Sequence, residues 1–245
     1  MKERWPNFFI VGAPKAGTTS LYYYLKKTPG IFMSSVKEPN YFACNIVASS
    51  TFDVITNKHE YLGLFRNSDK HIAVGEASVC YLWDPSAPML IKASVPDARI
   101  IILLRDPIER AFSDYLMRKK YGGDNASFYT ELVLDSLRTE KLFGSCALYV
   151  ELGMYYEQVK RYFEHFGRDR VMVIIFEEFI KNKQDTLKNV LSFLGIDSAL
   201  PEMDEQYNKY SEPRNHISLR VFAFFRYLRS RGIPFYKVLG ILPES

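Results

Sequence analysis

The sequence predicts an α/β fold, a three-layer α/β/α domain with a mostly parallel central sheet. Short apolar runs of strand length alternate along the chain with segments of helical periodicity, which is typical of βαβ units. The run Arg99–Leu104 is almost continuously apolar, as expected of a central parallel strand with helices on both faces. A turn with glycine at both ends, Gly12 to Gly17, follows the first apolar run and opens a helical segment. Ligands of such sheets bind beyond the carboxyl ends of the strands, so the residues after each strand are the functional candidates.

Each element follows from a local pattern. Five apolar runs predict strands, at Phe8–Val11, Ile31–Met33, Ile72–Val74, Arg99–Leu104 and Val171–Phe176. Four periodic segments predict helices, at Thr18–Lys27, Pro107–Lys120, Glu151–Phe166 and Gln184–Leu194. Asp106 is the expected N-cap of the second helix, since its carboxylate suits the free N–H groups and Pro107 suits the first helical position.

Length and composition indicate one folded domain, residues 1–245. The chain has 245 residues, of which 47% are hydrophobic and 24% charged, and this composition excludes a disordered or low-complexity protein. No apolar run approaches the roughly 20 residues that a membrane span needs, and Phe8–Val11 is too short for the core of a signal peptide. We therefore expect a soluble, cytoplasmic protein without a membrane span.

Cysteine count and net charge exclude other classes. The three cysteines are far apart and unpaired in spacing, so neither a disulfide framework nor a metal site is expected. The net charge of +4 suits an anionic ligand but is too weak to indicate nucleic acid as a partner.

The loop after the first strand has the design of an anion site. Glycines at its ends allow a tight turn, and the following helix start adds N–H groups and partial positive charge for phosphate or sulfate oxygens. Its residues are Gly12, Ala13, Pro14, Lys15, Ala16, Gly17, Thr18 and Thr19. A Walker A loop needs lysine directly after the second glycine, where this chain has Thr18, so Mg²⁺-dependent phosphoryl transfer is disfavoured.

A second anion site follows the central strand. Arg105 stands at the carboxyl end of that strand and can bind a phosphate through two hydrogen bonds. Ser113 lies two helical turns further on, where its hydroxyl can donate to the same anion. Arg110 and Asp114 are four residues apart and are expected to pair on the helix surface.

Together the two motifs resemble those of sulfotransferases that use 3′-phosphoadenosine 5′-phosphosulfate, PAPS. The first resembles the PKxGTT-type 5′-phosphosulfate loop, and the second resembles the LLRxPxxRAxSxY motif, whose matching Arg105 and Ser113 would bind the 3′-phosphate. The resemblance covers about residues 7 to 220. It implies a P-loop NTPase-like fold, PAPS as the donor, adenosine 3′,5′-bisphosphate (PAP) as the product and no metal.

The resemblance also implies catalytic roles. Lys15 would stabilise the departing phosphate. The segment that contains Lys37 and Glu38 resembles the KExxxFF segment of the bacterial and glycosaminoglycan-type branch, whose glutamate is the base. Glu38 is therefore the expected catalytic base, with Glu76 as the alternative, and sulfuryl transfer is expected to run in line to a hydroxyl or amine.

Further segments resemble the family more weakly. Arg214 lies in an "S…PR" segment in which the arginine closes over the nucleotide. Residues that would face the acceptor are Glu76, Tyr41, Phe42 and Tyr155. Members that act on heparan have lysine where Ala77 stands and often an acid where Ala43 stands, so the acceptor stays open among small molecules, lipids and saccharides.

The residues leave two alternative functions open, and they leave the role of one basic segment undecided. A P-loop kinase or NTPase is disfavoured because Arg105, not an aspartate, follows the central strand. A nucleotide-binding module without turnover is disfavoured by the presence of Glu38. The segment Leu219 to Lys237 interleaves arginines with aromatic residues, which is typical of a core-packed helix with a basic edge and less often of a membrane-contacting one.

Overall fold

The computed structural model describes residues 4–43, 45–47, 54–120, 126–144, 147–201 and 203. A single five-stranded sheet runs through this part of the chain, with the order β2-β3-β1-β4-β5 and every pair parallel. Its strands are β1 (Phe8–Gly12), β2 (Ile31–Met33), β3 (Ala73–Ala77), β4 (Arg99–Leu104) and β5 (Val171–Ile175). The predicted parallel α/β sheet is confirmed, and the predicted third strand continues to Ala77.

Helices cover both faces of the sheet. The described α-helices are α1 (Thr18–Lys26), α2 (Lys58–Gly63), α3 (Ala87–Ser94), α4 (Pro107–Lys120), α5 (Phe128–Leu137), α6 (Tyr155–Phe166), α7 (Phe176–Lys181) and α8 (Lys183–Leu194). All residues of β1 are buried, and Ile100 to Leu103 of β4 have no exposed surface. Successive side chains of a strand point to opposite faces, so complete burial means that both faces are covered, as the three-layer prediction requires.

One predicted helix is interrupted. The segment Glu151–Phe166 forms a 3₁₀ helix at Glu151–Gly153 and then α6, because Met154, at φ −84° and ψ 67°, leaves the helical conformation. Helices α2, α3, α5 and α7 were not predicted.

The last part of the chain forms a separate unit. The protein divides into two compact units, residues 1–208 and 209–245, and the second lies outside the described residues. The single-domain assignment stays a prediction, as does the helix between Leu219 and Lys237. Within the described ranges, no helix combines the length and apolar character needed to cross a membrane.

Candidate active site

The loop between β1 and α1 is shaped by its two glycines. Gly12 has φ +149°, and a Cβ there would lie 2.7 Å from the Cβ of Leu82. Gly17 has φ +88°, and a Cβ there would lie 2.9 Å from Cδ2 of Phe176. The loop is also bound to β4, which lies beside β1 in the sheet, since the N–H of Ala13 donates to the carbonyl of Leu103 at 2.6 Å. Backbone conformation and close packing therefore both require glycine at the two ends of the turn.

Positive charge converges on this loop. Burial lowers the pKa of Lys15 from its ordinary value, Asp114 opposes that shift, and the charges of Arg105 and Arg110 add to it. The ammonium of Lys15 lies 3.2 Å from the sulfur of Met117. A desolvated lysine beside two arginines is a place where an anion is favoured.

Arg105 joins the second predicted motif to the first. Its Nη1 donates to the carbonyl of Lys15 at 3.2 Å, and its guanidinium carbon lies 4.9 Å from the ring centroid of Phe176. The hydroxyl of Tyr155 donates to the carbonyl of Arg105 at 2.9 Å, and Nη2 lies 3.7 Å from Oε2 of Glu109. The structure thus brings together two residues that are ninety positions apart in sequence.

The start of α4 has the predicted cap. Oδ1 of Asp106 accepts hydrogen bonds from the N–H groups of Ile108 and Glu109 at 3.0 and 3.2 Å. Ser113 is half-buried on the same helix, after the cap and two turns beyond Arg105.

The expected surface pair on α4 is wrong. Arg110 has no exposed surface, and its Nη2 donates to the carbonyl of Tyr149 at 2.6 Å. Asp114 is also buried, and its carboxylate lies 3.5 Å from Nε of Arg118. Chain around Tyr149 covers this face of the helix, so both side chains belong to the interior.

Glu38 lies after β2 and is bound to the end of the neighbouring strand. Its N–H donates to the carbonyl of Ala77 at 3.1 Å, and its Oε1 lies 2.9 Å from the ammonium of Lys37. The side chain of Glu38 is 23% exposed, so solvent and ligands can reach the carboxylate.

Glu76 is fully buried in β3. Its Oε1 accepts from the hydroxyls of Tyr61 and Tyr81 at 2.9 and 2.8 Å, and its Oε2 accepts from Ser78 at 2.7 Å. Burial raises the pKa of Glu76 to about 7, the three hydrogen bonds oppose the rise, and the carboxylate of Glu38 adds to it. Because Glu76 has no exposed surface, the structure assigns it to the core and not to the acceptor surface.

The predicted acceptor-facing aromatic residues divide in the same way. Tyr41 is half-buried and stacks on Tyr61 with ring centroids 4.3 Å apart. Phe42 is 3% exposed and packs against Trp5 and Tyr61, so it too belongs to the core. Tyr155 holds the Arg105 carbonyl, and Arg214 lies outside the described residues.

Strand order arranges these residues along one edge of the sheet. The Glu38 loop bonds to Ala77 at the end of β3, Ser78 N donates to Ile10 of β1 at 3.1 Å, and Ala13 bonds to Leu103 of β4. The line therefore runs from Glu38 through the glycine loop to Arg105, with all loops at carboxyl strand ends.

Sequence reasoning missed the residues that act through packing. Phe176 contacts both Arg105 and the loop, and its place directly after β5 was the available signal. The hydroxyls of Tyr61, Ser78 and Tyr81 gave no signal, since their roles depend on a buried partner.

Comparison with known proteins matches this arrangement. The sequence model of the Sulfotransferase domain family matches residues 6–231. Carbohydrate sulfotransferase 15 from Homo sapiens is 26% identical over 249 residues, which cover 78% of this chain and 44% of that protein. The chain thus spans less than half the length of that curated relative.

One solved structure gives the same family, and a second gives the same fold. A sulfotransferase from Alicyclobacillus acidocaldarius superposes with a TM-score of 0.79 and 31% identity over 98% of both chains. Mouse sulfotransferase SULT7A1, solved in complex with PAP, shares the fold, with a TM-score of 0.50 and 19% identity over 78% of this chain and 58% of that chain. Because the family model matches residues 6–231, which are most of its length, this chain belongs to the sulfotransferase domain family.

Proposed function

We propose that the protein is a PAPS-dependent sulfotransferase that transfers a sulfuryl group to a hydroxyl or amine of a saccharide, lipid or other small-molecule acceptor. The observation that carries this proposal is the contact between Arg105 and the Lys15 carbonyl. It joins two cationic motifs into one site at the carboxyl edge of the sheet. A nucleotide with phosphates on both its 3′ and 5′ positions matches a site that has two separate anion anchors.

The residues present fit such a nucleotide. Burial and two neighbouring arginines lower the pKa of Lys15, so a bound anion relieves unfavourable electrostatics there. Loop residues 12–19 would hold the 5′ end, and Arg105 with Ser113 would hold the 3′-phosphate. No metal ligand is required by this assignment.

Each catalytic role falls to a residue of the described edge. PAPS supplies the sulfuryl group when it is bound. Glu38 is a partly exposed carboxylate of this edge and takes the proton of the acceptor as general base. The ammonium of Lys15 places positive charge where negative charge develops on the departing phosphate.

The acceptor is proposed from the curated relative. That relative is named a carbohydrate sulfotransferase, which supports a saccharide hydroxyl as the first acceptor to test. Desulfated glycosaminoglycan chains, a simple phenol and a long-chain alcohol, each incubated with radiolabelled PAPS, sample the three open classes. If the preparation binds PAP but transfers label to none of the three acceptors, this result contradicts catalysis of this kind.

The donor assignment is tested by comparing PAP with adenosine 5′-phosphate in calorimetry. Hydrogen bonds to a charged group contribute about 1.5–3 kcal/mol, so we expect PAP to bind about 10- to 100-fold more tightly. Arg105→Ala is expected to remove most of that preference, because it removes the proposed 3′-phosphate anchor.

Arg168→Ala is the matched control for this experiment. The guanidinium of Arg168 also stacks on a phenyl ring, 4.9 Å from the centroid of Phe163, but it precedes β5 at the opposite edge of the sheet. The control should keep the wild-type preference. Equal affinity of the wild-type protein for the two nucleotides would overturn the proposal.

A further inference from the structure

Glu76 controls the direction of two hydrogen bonds. It accepts from the hydroxyls of Ser78 and Tyr81 at 2.7 and 2.8 Å, and each hydroxyl has one proton to donate. Burial raises the pKa of Tyr81 well above its ordinary value, and the charge of Glu76 adds to the rise, so this hydroxyl keeps its proton. The remaining lone pairs of both hydroxyls are therefore directed away from Glu76.

Those lone pairs accept hydrogen bonds from the loop that contains Glu38. The N–H of Asn40 donates to Oγ of Ser78 at 3.1 Å, and the N–H of Phe42 donates to the hydroxyl of Tyr81 at 3.2 Å. Each of the two hydroxyls thus links the Glu76 carboxylate to one backbone amide of the loop. All of these atoms are in the interior, where an unpaired amide costs about 1–3 kcal/mol.

The loop needs such tethers because its backbone is strained. Glu38 has φ +68° and Asn40 has φ +55°, and both lie in the left-handed region. That region costs an ordinary residue such as Glu38 about 1–2 kcal/mol, and it costs asparagine less, because its side chain can bond locally, as Asn40 Nδ2 does to the Glu38 carbonyl at 2.9 Å. A strained segment keeps its shape only where surrounding contacts hold it.

We propose that Glu76 is a positioning residue for Glu38: by accepting the hydroxyl protons of Ser78 and Tyr81, it turns both oxygens toward the Asn40 and Phe42 amides and so holds the Glu38 loop in its catalytic conformation. The inference rests on the proposed role of Glu38 as the base. It also explains why a carboxylate lies in the core beside a second carboxylate, although this arrangement is electrostatically unfavourable.

Two tyrosines provide a matched test. Tyr61 and Tyr81 are both fully buried, and both donate to Oε1 of Glu76, at 2.9 and 2.8 Å. In the described part of the chain, the Tyr81 hydroxyl accepts a hydrogen bond from a loop amide, and the Tyr61 hydroxyl accepts no such bond. Tyr81→Phe and Tyr61→Phe therefore remove the same bond to Glu76 but differ in their effect on the loop.

The first readout is hydrogen exchange of the Phe42 amide, measured by NMR at one pH above 7, where Glu76 is ionised. We expect this amide to exchange at least 10-fold faster in Tyr81→Phe than in Tyr61→Phe. The second readout is turnover with radiolabelled PAPS and desulfated glycosaminoglycan chains. We expect kcat to fall at least 10-fold further in Tyr81→Phe, with PAP affinity within twofold of the wild type in both variants.

A second pair keeps the test independent of the folding of one variant. Ser78→Ala should release the Asn40 amide in the same assays. Ser68→Ala should not, because the buried hydroxyl of Ser68 donates to the carbonyl of Phe65 and is not bonded to the loop. Equal exchange and equal kcat within both pairs would overturn the inference.

Failure of the inference and failure of the base assignment give different results. If Glu38→Gln keeps wild-type turnover, Glu38 is not the base, and amide exchange still reports whether the loop is held through Ser78 and Tyr81. If Glu38→Gln is inactive while the variant pairs behave alike, the base assignment stands and the positioning role of Glu76 is wrong.

Discussion

At the scale of single residues, the contacts and the exposure of a side chain decide its role at the candidate site. Glu38 is fixed at its backbone by Ala77 and at its carboxylate by Lys37, yet 23% of its side chain remains exposed. Glu76 is a carboxylate of the same edge, but it has no exposed surface. Accessibility therefore separates the proposed base from the residue that supports it.

Replacing Glu38 tests this separation. In Glu38→Gln we expect turnover with labelled PAPS to fall about 10²- to 10⁴-fold, because general base catalysis is lost while the shape of the side chain is kept. PAP affinity in calorimetry should stay within twofold of the wild type. Glu60→Gln, at an exposed carboxylate in the first turn of α2, should leave both values unchanged. Retention of more than a tenth of turnover in Glu38→Gln would contradict the assignment.

The candidate site residues could be predicted from the sequence, but the contacts that these and other side chains make could not. Lys15 and Arg105 were identified because anion binding needs cationic side chains after strands, and Glu38 was identified through the resemblance of its segment to KExxxFF. The burial of Arg110 was missed because helical spacing shows which residues are neighbours on a helix, but not which face the rest of the chain covers. The buried hydroxyls around Glu76 were missed for the same reason.

At the scale of elements, α7 connects the two predicted anion motifs. Its first residue, Phe176, lies against the backbone at Gly17 and under the guanidinium of Arg105. Glu177 follows it and accepts a hydrogen bond from the N–H of Asp106 at 3.1 Å. A short helix therefore supports the loop after β1 and the loop after β4 at once.

Gly17→Ala should disturb both motifs. The added Cβ would lie 2.9 Å from the Phe176 ring, so the ring must move and Arg105 loses its support. We expect PAP affinity to fall at least 10-fold and the preference over adenosine 5′-phosphate to shrink in calorimetry.

Gly195→Ala separates this effect from backbone strain. Gly195 has a similar φ of +71°, but a Cβ there would meet no atom within 4 Å. Its replacement should lower the free energy of unfolding by about 1–2 kcal/mol and leave PAP affinity unchanged. Similar PAP affinities in the two alanine variants would exclude the coupling through Phe176.

The predicted elements were those with a continuous local signal. Each of the five strands contains an apolar run, although β3 continues past its run through Gly75 and Glu76, and the helices that were predicted have clear periodicity. The helices α2 and α7 have six residues each, too few to show a period, and α7 starts directly after β5 without a capping side chain. Such short helices form through tertiary packing and not through their own propensity.

At the scale of the whole molecule, one buried acid makes stability depend on pH. The pKa of Glu76 is about 7 in the fold, against 4.5 for an ordinary glutamate. Between these pH values the folded protein holds a proton that the unfolded chain releases. The contribution of Glu76 to stability is therefore complete below about pH 4.5 and is lost as the pH rises through about 7.

The free energy of unfolding should show this loss. From the two pKa values, we expect Glu76 to account for a decrease of about 3 kcal/mol between pH 4.5 and pH 8, measured by urea unfolding. Glu76→Gln should flatten the profile by that amount relative to the wild type. Glu157→Gln, at an exposed position of α6, should leave the profile unchanged. A Glu76→Gln profile parallel to that of the wild type would disprove this account.

The order of the strands also separates two kinds of recognition. Glu38 follows β2 and Arg105 follows β4, with β3 and β1 between them, so about 14 Å of sheet edge separates them at the usual spacing of parallel strands. In the proposed function, the part of this edge after β2 would face the acceptor, and the part after β4 would face the nucleotide. Under that proposal, a change of acceptor needs changes only in the segments after β2 and β3, while the nucleotide part stays as it is.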